Sequence, residues 1–353
     1  MKRAWVWGSF AAAVMLASAT VPAAPPDATA ERMRSLRERM ALEDIAAGGV
    51  TDPRVLESMR TTPRHEFVPP PQRHLAYVDM ALPIGEKAAR ILARLGYKNV
   101  ITKIGDGFQG WPEHAPFDKI IVTCSPEEIP QPLVEQLAEG GRMVIPVGER
   151  YDQMLVLLTK RNGEMVRESL VPSLFVPMTG AAEEARVVQP DGTRPAIGNG
   201  GFEDLLPGVE VPMSWYYGRQ MELVEAPDAP EGTRFLRLEN AEKGRPAQLF
   251  QGFAVDGRAI GRLAVSLEVR GESLREGSSP EELPALGVQF FDERRTRSAR
   301  ALLPMGKGTF PWRHLQGTLT VPVWAREAIV LVGMLGGTGR LEADDVRIEG
   351  IAR

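Results

Sequence analysis

The chain has 353 residues, a formal net charge of −4, 43% hydrophobic and 25% charged residues, an ordinary globular composition with length enough for two domains with separate cores. The slight acidity leaves no basic footprint and excludes nucleic acid as an expected partner. A single cysteine, Cys124, excludes an intrachain disulfide as a staple of the fold.

At the N-terminus, Lys2 and Arg3 precede an apolar run from Ala4 to Ala17, with small residues at Ala17-Ser18-Ala19 and Val21-Pro22-Ala23. That order reads as a secretory signal peptide over residues 1–23, cleaved after Ala19 or Ala23. The run is short of the roughly 20 residues that a spanning helix needs, so no stable membrane span is expected after cleavage. The mature protein is expected to be exported, periplasmic or extracellular. Ala30 to Ala47 then reads as a helix, with Met33, Leu36, Met40 and Ile45 near helical spacing and Gly48-Gly49 as its stop. A second helix starts at "TDPRVLESM", capped by Asp52 with Pro53 at its first position, and "TTPRHEF" repeats the device with Thr62 and Pro63.

Past the Pro-rich stretch "FVPPPQRHLAYVDMALPIG" the pattern becomes α/β. "NVITKIGD" predicts a short strand, "FDKIIVTC" a buried one, "IPQPLVEQLAEGG" a helix and "RMVIPVG" another strand. "QMLVLLTKRNGEMVRESLV" predicts a hairpin turned on Asn162-Gly163. Parallel strands with a crossover helix and a closing hairpin describe half of a doubly wound sheet, whose ligands sit at the carboxyl ends of the strands. Gly105 to Gly110 matches G-x-G-x-x-G, but it runs into "WPEHAP" and not into a helix, so it is not a dinucleotide fingerprint.

The blocks "VTDPRVLESMRTTPRHEFVPPPQRHLAYVDMALPIG", "GDGFQGWPEHAPFDKIIVTCSPEEIPQPLVEQLAEGGRMVIPVG" and "LFVPMTG" resemble protein-L-isoaspartate O-methyltransferase over residues 30–180. The resemblance implies a class I, Rossmann-like fold that uses S-adenosyl-L-methionine to esterify the α-carboxylate of isoaspartyl residues in damaged proteins. It also implies that Gly105, Asp106 and Gly107 form the loop beside adenine, Asp106 accepting from the exocyclic amine; read from the residues alone, the same stretch is a plain Asx turn. In the family, the "PIG" block leads into a segment with the catalytic serine, a glycine loop and the acidic residue that holds the ribose. Here Gly85 is followed at once by "EKAARILARLGYKNV", so the segment is missing between Gly85 and Glu86 and a βαβ unit of roughly 30 residues is absent. No catalytic residue is assigned. Micromolar cofactor binding is about −8 kcal/mol, and hydrogen bonds to charged groups contribute about 1.5 to 3 kcal/mol each, so the loss removes most of the affinity. It also takes the central strand, leaving "IIVTC" with an exposed edge.

His65, His74 and His114 are scattered and suggest packing or surface roles and not a metal site. Cys124 ends an apolar strand, as a buried thiol or formally a nucleophile. Residues 181–196 read as a polar linker, and 197–353 as an all-β sandwich of short alternating runs. "NGGFED", Trp215 and the closing "ADDVRIEG" resemble the jelly roll of carbohydrate-binding modules, which implies a possible glycan ligand stacked on exposed aromatics. Trp215, Tyr216, Tyr217, Trp312 and Trp324 are the candidates, each either ligand platform or core. Glu203 with Asp344 or Asp345 is a candidate set for a structural Ca2+, against a reading as solvated turns.

Overall fold

A computed structural model of the chain describes residues 26–77, 88–178, 180–184, 186–279, 282–293 and 295–353. The proposed signal peptide and the Gly85/Glu86 junction lie outside the described residues. The chain divides into two compact units, parting between Gly105 and Asp106.

In the first unit, α1 (Pro26–Arg39) runs on into a π-helical turn at Met40–Ala46. Helix α2 (Pro53–Thr61) starts where the sequence places it, with the Asp52 side chain accepting from Arg54 N and Pro53 in the first turn. "TTPRHEF" gives only a 3-10 turn at Arg64–Glu66, because the Thr62 hydroxyl makes no cap and the chain reaches a second run of prolines within one turn. A further 3-10 stretch spans Pro70–Leu75, and α3 covers Ala88–Arg94. Val68, Ala76 and Tyr77 are buried against Met33, Leu36, Met40 and Leu75, so the helical spacing read in α1 does mark its packed face.

The second unit begins with β1 (Phe117–Ile121), α4 (Gln131–Glu135), β2 (Leu137–Glu149), β3 (Asp152–Arg161) and β4 (Glu164–Ser173). The sheet order is β1-β2-β3-β4, with β1 and β2 parallel and the remaining pairs antiparallel. Asn162 and Gly163 sit at positive φ, 52° and 80°, as a two-residue hairpin turn requires. Val122, Cys124, Leu133, Met143, Ile145, Val156 and Leu158 form the core on one face. Two expectations are corrected. "NVITKIGD" forms no strand, since Val100–Asp106 finds no ladder among the described residues and Ile104 is 90% exposed. The helix expected through "IPQPLVEQLAEGG" stops at Glu135, and Leu137 already pairs with Phe117 as β2. Strand β1 ends the sheet order, and its Ile121 is 57% exposed.

After α5 (Ala181–Glu184) ten strands follow: β5 (Tyr216–Arg219), β6 (Met221–Glu225), β7 (Arg234–Asn240), β8 (Gln248–Ala254), β9 (Ile260–Arg275), β10 (Ala285–Phe291), β11 (Ser298–Pro304), β12 (Gly308–Thr320), β13 (Glu327–Gly333) and β14 (Thr338–Ala352). They pair as two five-stranded antiparallel sheets, β11-β10-β13-β8-β5 and β12-β9-β14-β7-β6. Alternation explains the sandwich: on β9, Leu263, Val265, Leu267 and Val269 are buried in the core while Arg262, Ala264, Ser266 and Glu268 point outward. Each such buried aliphatic side chain contributes about 1.5–3 kcal/mol. Strands β6 and β11 lie at sheet edges, where only one neighbour shapes the sequence pattern.

Candidate functional site

The carboxyl ends of β1 and β2 are where a doubly wound sheet holds its ligands, and here they are closed by the chain that follows β4. Ser125, just past β1, bonds Val176 and Met178 in both directions: Ser125 N donates to Val176 O at 2.8 Å and Met178 N to Ser125 O at 3.0 Å. The Arg186 guanidinium, its side chain 1% exposed, spans the two strand ends, donating to Ser125 O and Gly148 O at 3.0 Å each. Its Nε donates to Glu183 at 3.1 Å. Glu127 takes the amides of Val187 and Val188 at 2.5 and 3.1 Å, and those two donors hold its carboxyl below the usual range. Cys124 is buried in the same core as Met178 and Ala182.

Asp106 lies beside this closure. Its carboxylate accepts from Phe108 N at 3.0 Å, forming the Asx turn that opens the 3-10 turn Gly107–Gln109. A Cβ placed on Gly180 would stand 3.2 Å from Asp106 Oδ2, so backbone crowds the outward side of the carboxylate. Gly110 sits at φ 65° with no room for a side chain, because the Gln136 amide fills that space and bonds Trp111 N and Gln109 O. The sheet's strand-to-helix crossover, Val122–Pro130, contains no glycine. Among the described residues Asp106 supplies one carboxylate acceptor, already engaged by Phe108 N, and no glycine-rich strand-to-helix loop stands beside it.

A second cluster ties this sheet to the sandwich within the same unit. Arg150, in the β2–β3 turn, donates to Glu183 at 2.5 Å and to Glu327 at the start of β13. Glu327 is 3% exposed and also accepts from Arg295 Nε at 2.8 Å. Burial works against the Arg150 charge, but the Glu327 and Glu183 carboxylates raise its pKa above its ordinary value. Tyr216 Oη donates to Tyr151 O, and Tyr217 Oη to Leu174 O at 2.8 Å. Gly252 has no space for a Cβ against Tyr151 and Leu174. None of the charged partners was singled out in the sequence; Arg150 and Glu327 are 177 residues apart, and no spacing signals such a pair.

The candidate aromatics divide between core and surface. Trp215 is 1% exposed, its Nε1 donating to Asn199 O and its ring against Phe202, so it is a core residue, and Tyr216 is equally buried. The Trp312 ring meets Phe235 edge-on and is covered by the Arg270 guanidinium 4.6 Å from its centroid. Trp324 packs on the sandwich core. Tyr217 remains 48% exposed with its hydroxyl engaged. The acidic set is engaged by backbone and arginine donors. Glu203 accepts from Thr233 N and Arg234 N, Asp345 from Arg347 Nε, and fully buried Asp344 from Glu231 N and Asp345 N. Glu203 and Asp345 line one cavity with Glu231, and among the described residues no group of three His, Cys, Asp or Glu side chains that could hold a metal ion is found. His65 bonds Tyr77 at 2.6 Å, and His74 and His114 lie on the surface.

Comparison with known proteins decides the family. The model for Protein-L-isoaspartate(D-aspartate) O-methyltransferase (PCMT) matches residues 35–90 and 85–183. The protein-L-isoaspartate O-methyltransferase of Gloeobacter violaceus is 36% identical over 198 aligned positions, which cover 97% of that protein and 40% of this chain. The chain belongs to the protein-L-isoaspartate O-methyltransferase family. The enzyme of the same name from Opitutus terrae is 37% identical over 201 positions, 86% of its length and 40% of this chain. In shape, the family half is similar to a Plasmodium falciparum putative protein-L-isoaspartate O-methyltransferase solved with S-adenosyl-L-homocysteine (18% identity, TM-score 0.35, 40% of this chain and 98% of that one). The sandwich is similar to a family 16 carbohydrate-binding module (16% identity, TM-score 0.27, 38% and 89%). Among the described residues of this family member no helix is long and apolar enough to cross a membrane.

Proposed function

We propose that this chain is a non-catalytic member of the protein-L-isoaspartate O-methyltransferase family, an exported scaffold that binds proteins bearing isoaspartyl residues without methylating them. The observation that carries the reading is the closure at the sheet's ligand end, where Arg186 bridges Ser125 O and Gly148 O. It is supported by the junction at Gly85/Glu86: the family model matches in two pieces that meet at residues 85–90, and 198 aligned positions draw on only 40% of this chain. Both fit the loss of the cofactor loop and the serine segment from a once complete domain. The charged start and apolar run up to Ala17 support export, into a compartment that S-adenosyl-L-methionine, a cytoplasmic metabolite, does not ordinarily supply. A second reading, retained methyl transfer, is favoured by the 36% identity across nearly all of a catalytic relative.

Calorimetric titration of the folded mature chain with S-adenosyl-L-methionine, and then with an isoaspartyl peptide and its aspartyl twin, separates the two. The expected result is no heat from cofactor up to millimolar concentration, about −4 kcal/mol of binding or weaker, and selective heat from the isoaspartyl peptide. Micromolar cofactor binding, or methyl incorporation into the peptide, overturns the non-catalytic reading and leaves the second. N-terminal sequencing of the exported protein tests cleavage after Ala19 or Ala23.

A further inference from the structure

The chain has two Asn-Gly pairs in its described part, Asn162-Gly163 and Asn199-Gly200. Asn-Gly is the dipeptide least protected against attack of the following backbone nitrogen on the side-chain amide, since glycine has no Cβ to obstruct ring closure. The two pairs are held very differently.

Asn199 is locked. Its Nδ2 donates to Asp204 O and Met213 O at 2.9 Å each, its Oδ1 accepts from Asp204 N at 3.0 Å, and its own carbonyl takes the Trp215 indole. Gly200 is pressed against the backbone of Val346 with no space for even a methyl group. Rotating the Asn199 amide toward Gly200 N would break three hydrogen bonds in a packed region. Asn162 is the opposite case. It stands exposed at the tip of the β3–β4 hairpin, and among the described residues its side-chain amide has no hydrogen-bond partner, so its Cγ can turn toward the next nitrogen. One neighbour restrains the backbone there. The Glu139 carboxylate accepts from Asn162 N at 2.5 Å and from Gly163 N at 3.2 Å.

We propose that Asn162 is a site of spontaneous conversion to isoaspartate in the folded protein, with Glu139 as its brake. In the first step Gly163 N, losing its proton to water, bonds to Asn162 Cγ; the amide nitrogen departs as ammonia and a five-membered imide remains. Water then opens the imide at either carbonyl, giving aspartate or isoaspartate. Glu139 opposes the first step in two ways. It holds the Gly163 N–H on its own carboxylate, and its negative charge disfavours the anionic nitrogen that must form. The product is the kind of residue on which the family's enzymes act, placed on an exposed turn of a family member; the inference itself does not depend on whether this chain is catalytic.

The experiment is incubation of the purified mature chain in mildly alkaline buffer, followed by proteolysis and mass spectrometry of the two Asn-Gly peptides. Methyl incorporation by an active relative scores isoaspartate against aspartate. A parallel sample in urea gives the unfolded rates. In the folded chain the Asn162 peptide is expected to convert at least about tenfold faster than the Asn199 peptide, a barrier difference of about 1.4 kcal/mol or more. In urea the two rates converge. Glu139→Ala, at an exposed position, is expected to accelerate Asn162 further and leave Asn199 unchanged. Equal conversion of both sites in the folded chain, or an Asn162 peptide that stays intact in Glu139→Ala while the urea sample converts, overturns the assignment. Slower conversion in Glu139→Ala overturns the role given to Glu139.

Discussion

Asp344 and His65 show how single buried groups set the pH response of each unit. Burial beside Glu231 and Asp345 pushes the Asp344 carboxyl up to about 7, although two backbone N–H groups favour its charged form. An unfolded Asp titrates near 3.9, so the folded state binds the extra proton between these values and sandwich stability falls as pH rises from about 4 to about 7. Thermal melts of Asp344→Asn are expected to lack that slope, with the variant gaining on the parent toward pH 8. His65 has the opposite sign. Burial, then the nearby Arg37 and Arg73, lowers its pKa against the pull of Glu66, so its neutral form stabilises the first unit above the unfolded value of about 6.5, and that contribution fades as pH falls through the depressed folded value. An NMR titration should place the His65 midpoint below the unfolded value of about 6.5. Trp215 was legible in the sequence as a notable aromatic, with core and ligand platform both open. Strand alternation assigns neighbours to opposite faces without saying which face is inside, and here Asn199 O and Phe202 decide it.

At the scale of elements, the hairpin, the α2 start, the parallel β1–β2 pair and most sandwich strands could be read from local pattern, because each is specified by a turn, a cap or an alternation within a few residues. The loss of "NVITKIGD" as a strand could not. A strand exists by virtue of its ladder partner, and nothing within the segment reports that none is present among the described residues. The edge of β1 carries a testable liability: Ile121 is 57% exposed at the end of the sheet order. Ile121→Lys is expected to raise solubility at high concentration while changing unfolding free energy by less than about 0.5 kcal/mol, as for surface substitutions generally. Light scattering and urea titration together check both halves of that statement.

Across the whole second unit, the joint between sheet and sandwich depends on a buried carboxylate with two arginines. Removing Arg150 leaves Glu327 paired with Arg295 alone and Glu183 with Arg186, so the cost falls below the roughly 3–5 kcal/mol of an unpaired buried charge. Calorimetric scans of the parent should show sheet and sandwich melting in one transition, and Arg150→Ala should split it in two. A fit of the parent to two independent transitions would contradict the cooperative joint. Gly252 belongs to the same joint, since Tyr151 and Leu174 occupy the space a methyl group would need. Its consequence reaches into the lineage of the protein. A sandwich that moves freely between genes presents a self-sufficient surface, whereas this one has a mating face whose Gly252 is cut to Tyr151 and whose Glu327 takes Arg150. The two halves can no longer be exchanged for other partners one at a time, and drift on either side of the joint is answerable to the other.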